Sequence, residues 1–173
     1  MQILKQEERH RICFTLNGEK VEALAEPRML LTDFIRHEIG ATGTHVGCEH
    51  GICGACTIRV NGQAVRACLM LAVQAEGCVI ETVEGLAAKD GTLSVLQAAF
   101  HRNFALQCGY CTPGFLMSLS EYLERAENPS EEEIRIALSG NICRCTGYAE
   151  IVNAALEAAK EILASKKSNA EMR

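Results

Sequence analysis

The stretch GCEHGICGAC, residues 47–56, decides the fold because it places three cysteines in one short loop. The spacing is Cys-x4-Cys-x2-Cys, and a fourth cysteine follows after eleven further residues. This spacing is typical of a plant-type 2Fe-2S site. The glycines suit such a loop, since a backbone without Cβ atoms can come close to inorganic sulfide. The sequence therefore predicts a first metal site with the ligands Cys48, Cys53, Cys56 and Cys68.

A second set of four cysteines lies in two later segments, QCGYCTPG at 107–114 and GNICRCTGY at 140–148. Their spacing is less diagnostic by itself, because a Cys-x2-Cys pair also occurs in redox dithiols and zinc knuckles. Each segment stands just before a predicted helix, whose free amide groups and partial positive charge favour thiolates and an anionic cluster. The candidate ligands here are Cys108, Cys111, Cys143 and Cys145.

Structural zinc is the alternative metal at the first site, since four thiolates also suit tetrahedral zinc. Zinc sites usually pair two short Cys-x2-Cys knuckles, whereas here one loop carries three cysteines, which favours an iron-sulfur cluster. His45 and His50 flank Cys48, but Rieske-type ligation needs two histidines in place of two cysteines. Both are therefore interpreted as loop residues that tune the cluster modestly. Cys13 and Cys78 stand in predicted strands outside both sets and are interpreted as buried free thiols.

The composition narrows the class of protein and its partners. The chain has 173 residues, of which ten are cysteine, and a formal net charge of -5. It opens without the apolar core and cleavage site of a signal peptide, so we expect metal binding in a reducing compartment, the cytoplasm. An acidic chain without a clustered basic face argues against a nucleic-acid partner. No apolar run approaches the roughly 18 residues of a membrane span, so protein or small-molecule partners are expected.

The first half of the chain predicts a small sheet crossed by one helix. Apolar residues alternate on both sides of Asn17-Gly18 and of Asn61-Gly62, and each Asn-Gly pair predicts the turn of a β-hairpin. Residues 79–83 predict a further strand. A helix that ends near Gly40 is predicted by the spacing of Leu30, Leu31, Phe34 and Ile35.

After Gly85 the apolar pattern is helical. Three helix faces are predicted, at Leu93, Leu96 and Phe100, at Leu116, Leu119 and Leu123, and at Val152, Leu156, Ala159 and Leu163. A shorter fourth helix is predicted to begin at Ser130, where Glu133 completes a capping box. The predicted domains are 1–84 and 85–164, followed by a polar, solvated tail at 165–173.

Around its cysteines the chain resembles the iron-sulfur subunit, or iron-sulfur segment, of the molybdenum hydroxylases related to xanthine oxidase and carbon monoxide dehydrogenase. The resemblance covers residues from about 10 to 164, and its specific parts are GCEHGICGACT, QCGYCTPG and GNICRCTGY. It implies an α+β fold, in which a ferredoxin-like β-grasp domain with one 2Fe-2S cluster precedes an all-α four-helix bundle with the other.

The resemblance also implies the function of a non-catalytic electron-transfer subunit in a molybdenum-containing hydroxylase or dehydrogenase. Electrons would pass from molybdopterin, or its cytosine dinucleotide form, in a large partner subunit to FAD in a medium one, within a dimer of heterotrimers. A stand-alone two-cluster ferredoxin is the alternative function. Carried over by motif, the cluster on the flavin side would be held by Cys48, Cys53, Cys56 and Cys68. The cluster on the molybdenum side would be held by Cys108, Cys111, Cys143 and Cys145, with Gln107 and Cys145 also contacting the pterin.

Overall fold

A five-stranded mixed sheet forms the first half of the protein. The computed structural model describes residues 4–5 and 7–171. The strands are β1 (His10–Leu16), β2 (Glu19–Ala25), β3 (Thr57–Val60), β4 (Gln63–Arg66) and β5 (Val79–Glu81). Their order is β2-β1-β5-β3-β4, with β1 parallel to β5 and the other neighbours antiparallel. The sheet agrees with the predicted ferredoxin-like first half.

Both predicted hairpins are confirmed. Asn17-Gly18 joins β1 to β2 and Asn61-Gly62 joins β3 to β4, and each of these residues has positive φ. Such two-residue turns match the right-handed twist of the flanking strands. The strand predicted at 79–83 ends earlier, at Glu81, because a 3-10 turn follows at Val83–Gly85.

The helix that crosses the sheet combines two geometries. The short helix α1 (Leu31–Asp33) continues as a π-helical segment (Phe34–Glu38), and Gly40 then takes φ 86°. Phe34 is fully buried, and its ring centroid lies 5.9 Å from that of Phe14 on β1. The helix therefore closes the first hydrophobic core against one face of the sheet.

Four helices around a second hydrophobic core make up the rest of the fold. They are α2 (Val95–Arg102), α3 (Thr112–Arg125), α4 (Glu131–Leu138) and α5 (Ala149–Glu171). The capping box at α4 is confirmed, since Ser130 Oγ accepts a hydrogen bond from the Glu133 amide and a Glu133 carboxylate oxygen accepts one from the Ser130 amide. Across the described ranges, 4–5 and 7–171, no helix has the length and apolarity needed to cross a membrane.

Two details of the predicted helices were wrong. Leu93 lies before α2 rather than on its face and is 48% exposed, because Ser94 caps the helix one residue later. The last helix does not stop at residue 164 but continues to Glu171. The extra turns are exposed at 165–168, where lysines have high helix propensity and Lys166 Nζ donates to the Glu124 carbonyl at 3.2 Å.

Candidate iron-sulfur sites

The thiols of the first predicted site come together in two pairs. Cys48 and Cys53 interact within the loop, where the Cys53 amide donates a hydrogen bond to Cys48 Sγ at 3.3 Å. This amide, followed by the amide of His50, lowers the pKa of the Cys48 thiol to about 6. Amide hydrogens that point at sulfur stabilise the thiolate form, which is the form that binds metal.

The second pair of this site is brought together by a hairpin. Cys56 precedes β3 and Cys68 follows β4, so the pairing of these strands places the two thiols side by side. Both residues are buried, and burial raises the pKa of Cys56 to about 12. A free thiolate charge is unfavourable in such an apolar setting. Because a bound metal neutralises that charge, burial favours the metal-bound form of these cysteines.

The thiols of the second predicted site also form two pairs. Cys145 Sγ lies 3.6 Å from Cys108 Sγ, and the Cys111 thiol interacts with that of Cys143. The residues sit near helix N-termini, Cys111 directly before α3 and Cys145 in the loop that leads into α5. Burial raises the pKa of Cys111 to about 12. For Cys143 burial acts in the same direction, but hydrogen bonds from the Thr146 hydroxyl and amide outweigh it and lower the pKa.

Paired thiols suit a cluster with two irons better than one metal ion. A 2Fe-2S cluster with four cysteines takes two thiolates at each iron, and each set provides two pairs. The loop is also closed to larger residues, because a Cβ on Gly47 would lie 3.0 Å from Cys53 Sγ. The paired thiols and the tight loop around Gly47 and Cys53 therefore fit 2Fe-2S clusters.

Comparisons with known proteins agree with this donor set. Residues 14–108 match the model of the 2Fe-2S iron-sulfur cluster binding domain, and residues 82–156 match that of a 2Fe-2S binding domain. The gamma subunit of caffeine dehydrogenase from Pseudomonas sp. (strain CBB1) is 56% identical over 148 residues, which are 84% of this chain and 88% of that protein. The small subunit of nicotine 6-hydroxylase from Paenarthrobacter nicotinovorans is 52% identical over 155 residues, covering 90% and 93%.

A solved structure matches most of the fold. A chain of quinoline 2-oxidoreductase from Pseudomonas putida 86 superposes with a TM-score of 0.86 at 48% identity, covering 88% of this chain and 95% of that one. The chain belongs to the iron-sulfur subunits of the xanthine oxidase family of molybdenum hydroxylases. An iron-sulfur subunit of this family serves electron transfer in a multi-subunit oxidoreductase.

In this iron-sulfur subunit the two cysteine sets are in direct contact through the backbone. The Ile142 amide donates to the Cys53 carbonyl oxygen at 2.9 Å. The buried Asn141 side chain donates to the Gly54 carbonyl at 3.2 Å, and Arg66 donates to the Gly140 carbonyl at 2.6 Å. The segment before Cys143 therefore lies on the first cysteine loop.

A second contact joins the two loops through an aromatic pair. The rings of His45 and Tyr110 stack with centroids 4.7 Å apart. The Tyr110 hydroxyl donates to the Val46 carbonyl at 2.5 Å, and His45 Nδ1 lies 2.7 Å from the Tyr110 carbonyl oxygen, which can only accept. His45 thus contacts the other cysteine loop, a role that its position near Cys48 did not reveal.

The sequence singled out the cysteines of this subunit but missed the residues that join the two sets. The missed residues are Arg66, Gly114, Ser118, Asn141 and Ile142. Three of them lie in the cysteine motifs, Gly114 in QCGYCTPG and the other two in GNICRCTGY, so these motifs were the available signal.

The two cysteines outside the sets are half-buried rather than buried. Cys13 lies on β1 with its sulfur 3.8 Å from a Glu22 carboxylate oxygen, and Cys78 lies just before β5 and contacts Asn61 Nδ2 and the Gln74 carbonyl. Both are free thiols, as predicted, and Cys78 packs against the first core, but the expected full burial was wrong because each sulfur reaches a polar partner. Neither joins a cysteine set.

Proposed function

We propose that this subunit holds two 2Fe-2S clusters and relays electrons between a molybdenum centre in a large partner subunit and FAD in a medium one. When bound, each cluster supplies a site that exchanges one electron at a time. The paired thiols support this proposal, and so does the family, whose members are subunits of dehydrogenases and hydroxylases.

The roles of the two cysteine sets are proposed from the family resemblance, and the exposure of the second set supports them. Cys108 and Cys145 are exposed, and Gln107 beside them is exposed as well, whereas Cys56 and Cys68 are buried. We assign the set that has two exposed members, Cys108, Cys111, Cys143 and Cys145, to the molybdenum side, where Gln107 and Cys145 contact the pterin. The other set, Cys48, Cys53, Cys56 and Cys68, holds the cluster on the flavin side.

The observation that carries the relay is the hydrogen bond from the Ile142 amide to the Cys53 carbonyl. Cys53 belongs to one set, and Ile142 is bonded directly to Cys143 of the other. A single hydrogen bond and a few covalent bonds therefore connect the ligands of both sites. Such a contact keeps the sites at a fixed, short separation, as a relay requires.

The assembly around this subunit is proposed from the family. The sheet corresponds to a β-grasp domain and α2–α5 to a four-helix bundle, and the large and medium partners complete a heterotrimer that forms dimers. The pterin is molybdopterin or its cytosine dinucleotide. A reducing compartment, the cytoplasm, suits eight thiolates that must stay reduced to bind iron. Because the similar proteins are subunits of a caffeine dehydrogenase and a nicotine 6-hydroxylase, we propose an N-heterocycle as the substrate class of the complex.

Electron paramagnetic resonance of the dithionite-reduced native complex tests the proposal, with iron, molybdenum, FAD and zinc counted in the same sample. We expect two distinct 2Fe-2S signals, stoichiometric molybdenum, and the same two signals when caffeine or nicotine replaces dithionite. Iron without molybdenum would indicate the stand-alone ferredoxin, and zinc without iron signals would contradict electron transfer altogether.

Cysteine variants test the ligand sets. Cys48→Ala should remove one of the two signals and Cys143→Ala the other, since each loses a thiolate of a different cluster. Cys13→Ala is the matched control and should leave both signals intact. Loss of the same signal in both ligand variants would contradict the division into two sets.

A further inference from the structure

An exposed aromatic residue in a strained conformation stands a few residues before the second cysteine set in the chain. Phe104 is 81% exposed and has φ 50°. This left-handed region is unfavourable for a bulky residue with a Cβ atom. Single exposed apolar side chains are common, but the exposure of a large aromatic ring together with backbone strain calls for an explanation beyond the fold of the chain.

The strain has a local structural cause, the end of helix α2. The Ala105 amide donates to the Phe100 carbonyl at 3.0 Å and the Phe104 amide to the His101 carbonyl at 3.3 Å. These two bonds form a Schellman motif, in which the left-handed residue is usually glycine because glycine has no Cβ penalty. Phenylalanine in this position lowers stability and contributes no packing to the chain itself. Strained residues of this kind are concentrated at functional sites.

The backbone presents Phe104 rigidly. The Asn103 side chain donates to the Ala99 carbonyl at 2.9 Å and to a Glu157 carboxylate oxygen at 2.5 Å. Arg102 donates to Glu157 at 2.6 Å, so the end of α2 is tied to α5. An ordered backbone at this position reduces the entropy that is lost when a partner buries the ring, and large aromatic residues are typical interface anchors.

The surroundings identify the face that this residue serves. Only three residues separate Phe104 from Cys108, whose thiol is exposed beside that of Cys145. Leu106, two residues before Cys108, and Ile142, directly before Cys143, are 43% and 48% exposed. An apolar surface around exposed ligands excludes water from the cluster once a partner covers it.

We propose that Phe104 is the anchor by which this subunit docks onto the large molybdenum-binding subunit. The inference rests on the proposed function, which puts the cluster of Cys108 and Cys145 on the molybdenum side. The aromatic ring enters an apolar recess of the large subunit and seals the rim of the surface around these two thiols. Strain at the end of α2 is thus retained because the glycine that would relieve it could not fill the recess.

The test compares Phe104→Gly and Phe104→Ala with the unsubstituted chain in the native complex, purified through a tag on this chain. When the purified complex is diluted, the large subunit dissociates and its molybdenum no longer co-purifies with this chain. The complex concentration at which half of the molybdenum is lost should rise by roughly 30-fold in both variants, as for an interface hot spot. Both 2Fe-2S signals and the FAD content should persist.

In the separated full chain, Phe104→Gly should raise Tm by about 3 °C because the strain is relieved. A folding defect therefore cannot explain its loss of molybdenum.

Leu24→Ala is the matched control, since Leu24 is 49% exposed on β2, the edge strand farthest from β3 and β4, against which α3 packs. It should retain molybdenum on dilution like the unsubstituted complex. Retention of molybdenum by both Phe104 variants would overturn the anchor, and loss of FAD instead of molybdenum would assign the residue to the flavin subunit and overturn it as well. An unsubstituted complex without molybdenum would overturn the proposed function itself.

Discussion

Close packing at a single glycine decides how the helical half meets the cysteine loop. Gly114 lies in the first turn of α3, and a Cβ there would come within 2.1 Å of the Gly54 carbonyl oxygen and 3.1 Å of Ala55 Cα. Both neighbours are backbone atoms of the loop that carries Cys53 and Cys56. They cannot move without shifting these ligands, so the position requires glycine although alanine is the better helix former.

Gly114→Ala should therefore destabilise the protein, although alanine by itself would favour the helix by up to about 1 kcal/mol. The overpacking cost of about 3 kcal/mol exceeds that gain and predicts a Tm lower by about 4–8 °C. The change in Tm is measured by anaerobic thermal unfolding, followed through the visible absorbance of the clusters. The control is Gly91→Ala, where a Cβ meets open space at φ 86° and costs about 1 kcal/mol from backbone strain alone. Equal losses in the two variants would contradict the packing argument.

At the scale of secondary-structure elements, one arginine joins the sheet to the helices. Arg59 on β3 is 9% exposed, and its guanidinium donates to both carboxylate oxygens of Glu124 on α3 at 2.5 and 2.7 Å. Arg59 Nε also lies 3.2 Å from a Glu81 oxygen on β5. The Arg59 charge is held away from water and pairs with Glu124 through two hydrogen bonds. This bidentate geometry fixes the orientation of α3 on the sheet.

Glu124→Gln should lower the free energy of unfolding by about 1 kcal/mol, since it weakens a charge-assisted pair whose carboxylate is partly solvated. Glu131→Gln is the matched control, because its pair with Arg135 is exposed and lies within one helix. That variant should change stability by at most about 0.5 kcal/mol. Thermal unfolding of both variants at low and high salt measures the difference. If Glu124→Gln behaved like the control, the bridge between β3 and α3 would add nothing beyond a surface pair.

Over the whole molecule, local signals allowed prediction of the elements but not of their contacts. The Asn-Gly turns, the Ser130 cap and the cysteine spacing are short-range patterns with a fixed physical meaning, so the hairpins and helix α4 could be predicted from sequence. The π-helical turn after α1 and the extension of α5 carry no such pattern. The bond between Ile142 and Cys53 joins residues 89 positions apart, as 142 minus 53 shows. Periodicity contains no information on such pairs.

The joint between the two cysteine sets gives the last prediction, at Asn141. Its amide nitrogen donates to the Gly54 carbonyl, and its amide oxygen accepts from the Ser118 hydroxyl at 2.9 Å. Asn141→Asp keeps the shape and the second bond, but it places a buried carboxylate against the Gly54 carbonyl oxygen. We expect a loss of stability of about 3 kcal/mol from the buried, unpaired charge. Electron transfer between the sites should also slow as the segment before Cys143 lifts off the first loop. Freeze-quench electron paramagnetic resonance after a pulse of substrate measures the delay between the two 2Fe-2S signals.

Ser118→Ala is the control, because it removes only the second bond. It should cost about 1 kcal/mol of stability and leave the delay between the two signals unchanged. An unchanged delay in Asn141→Asp, with the stability loss present, would mean that the contact supports the fold but not the relay.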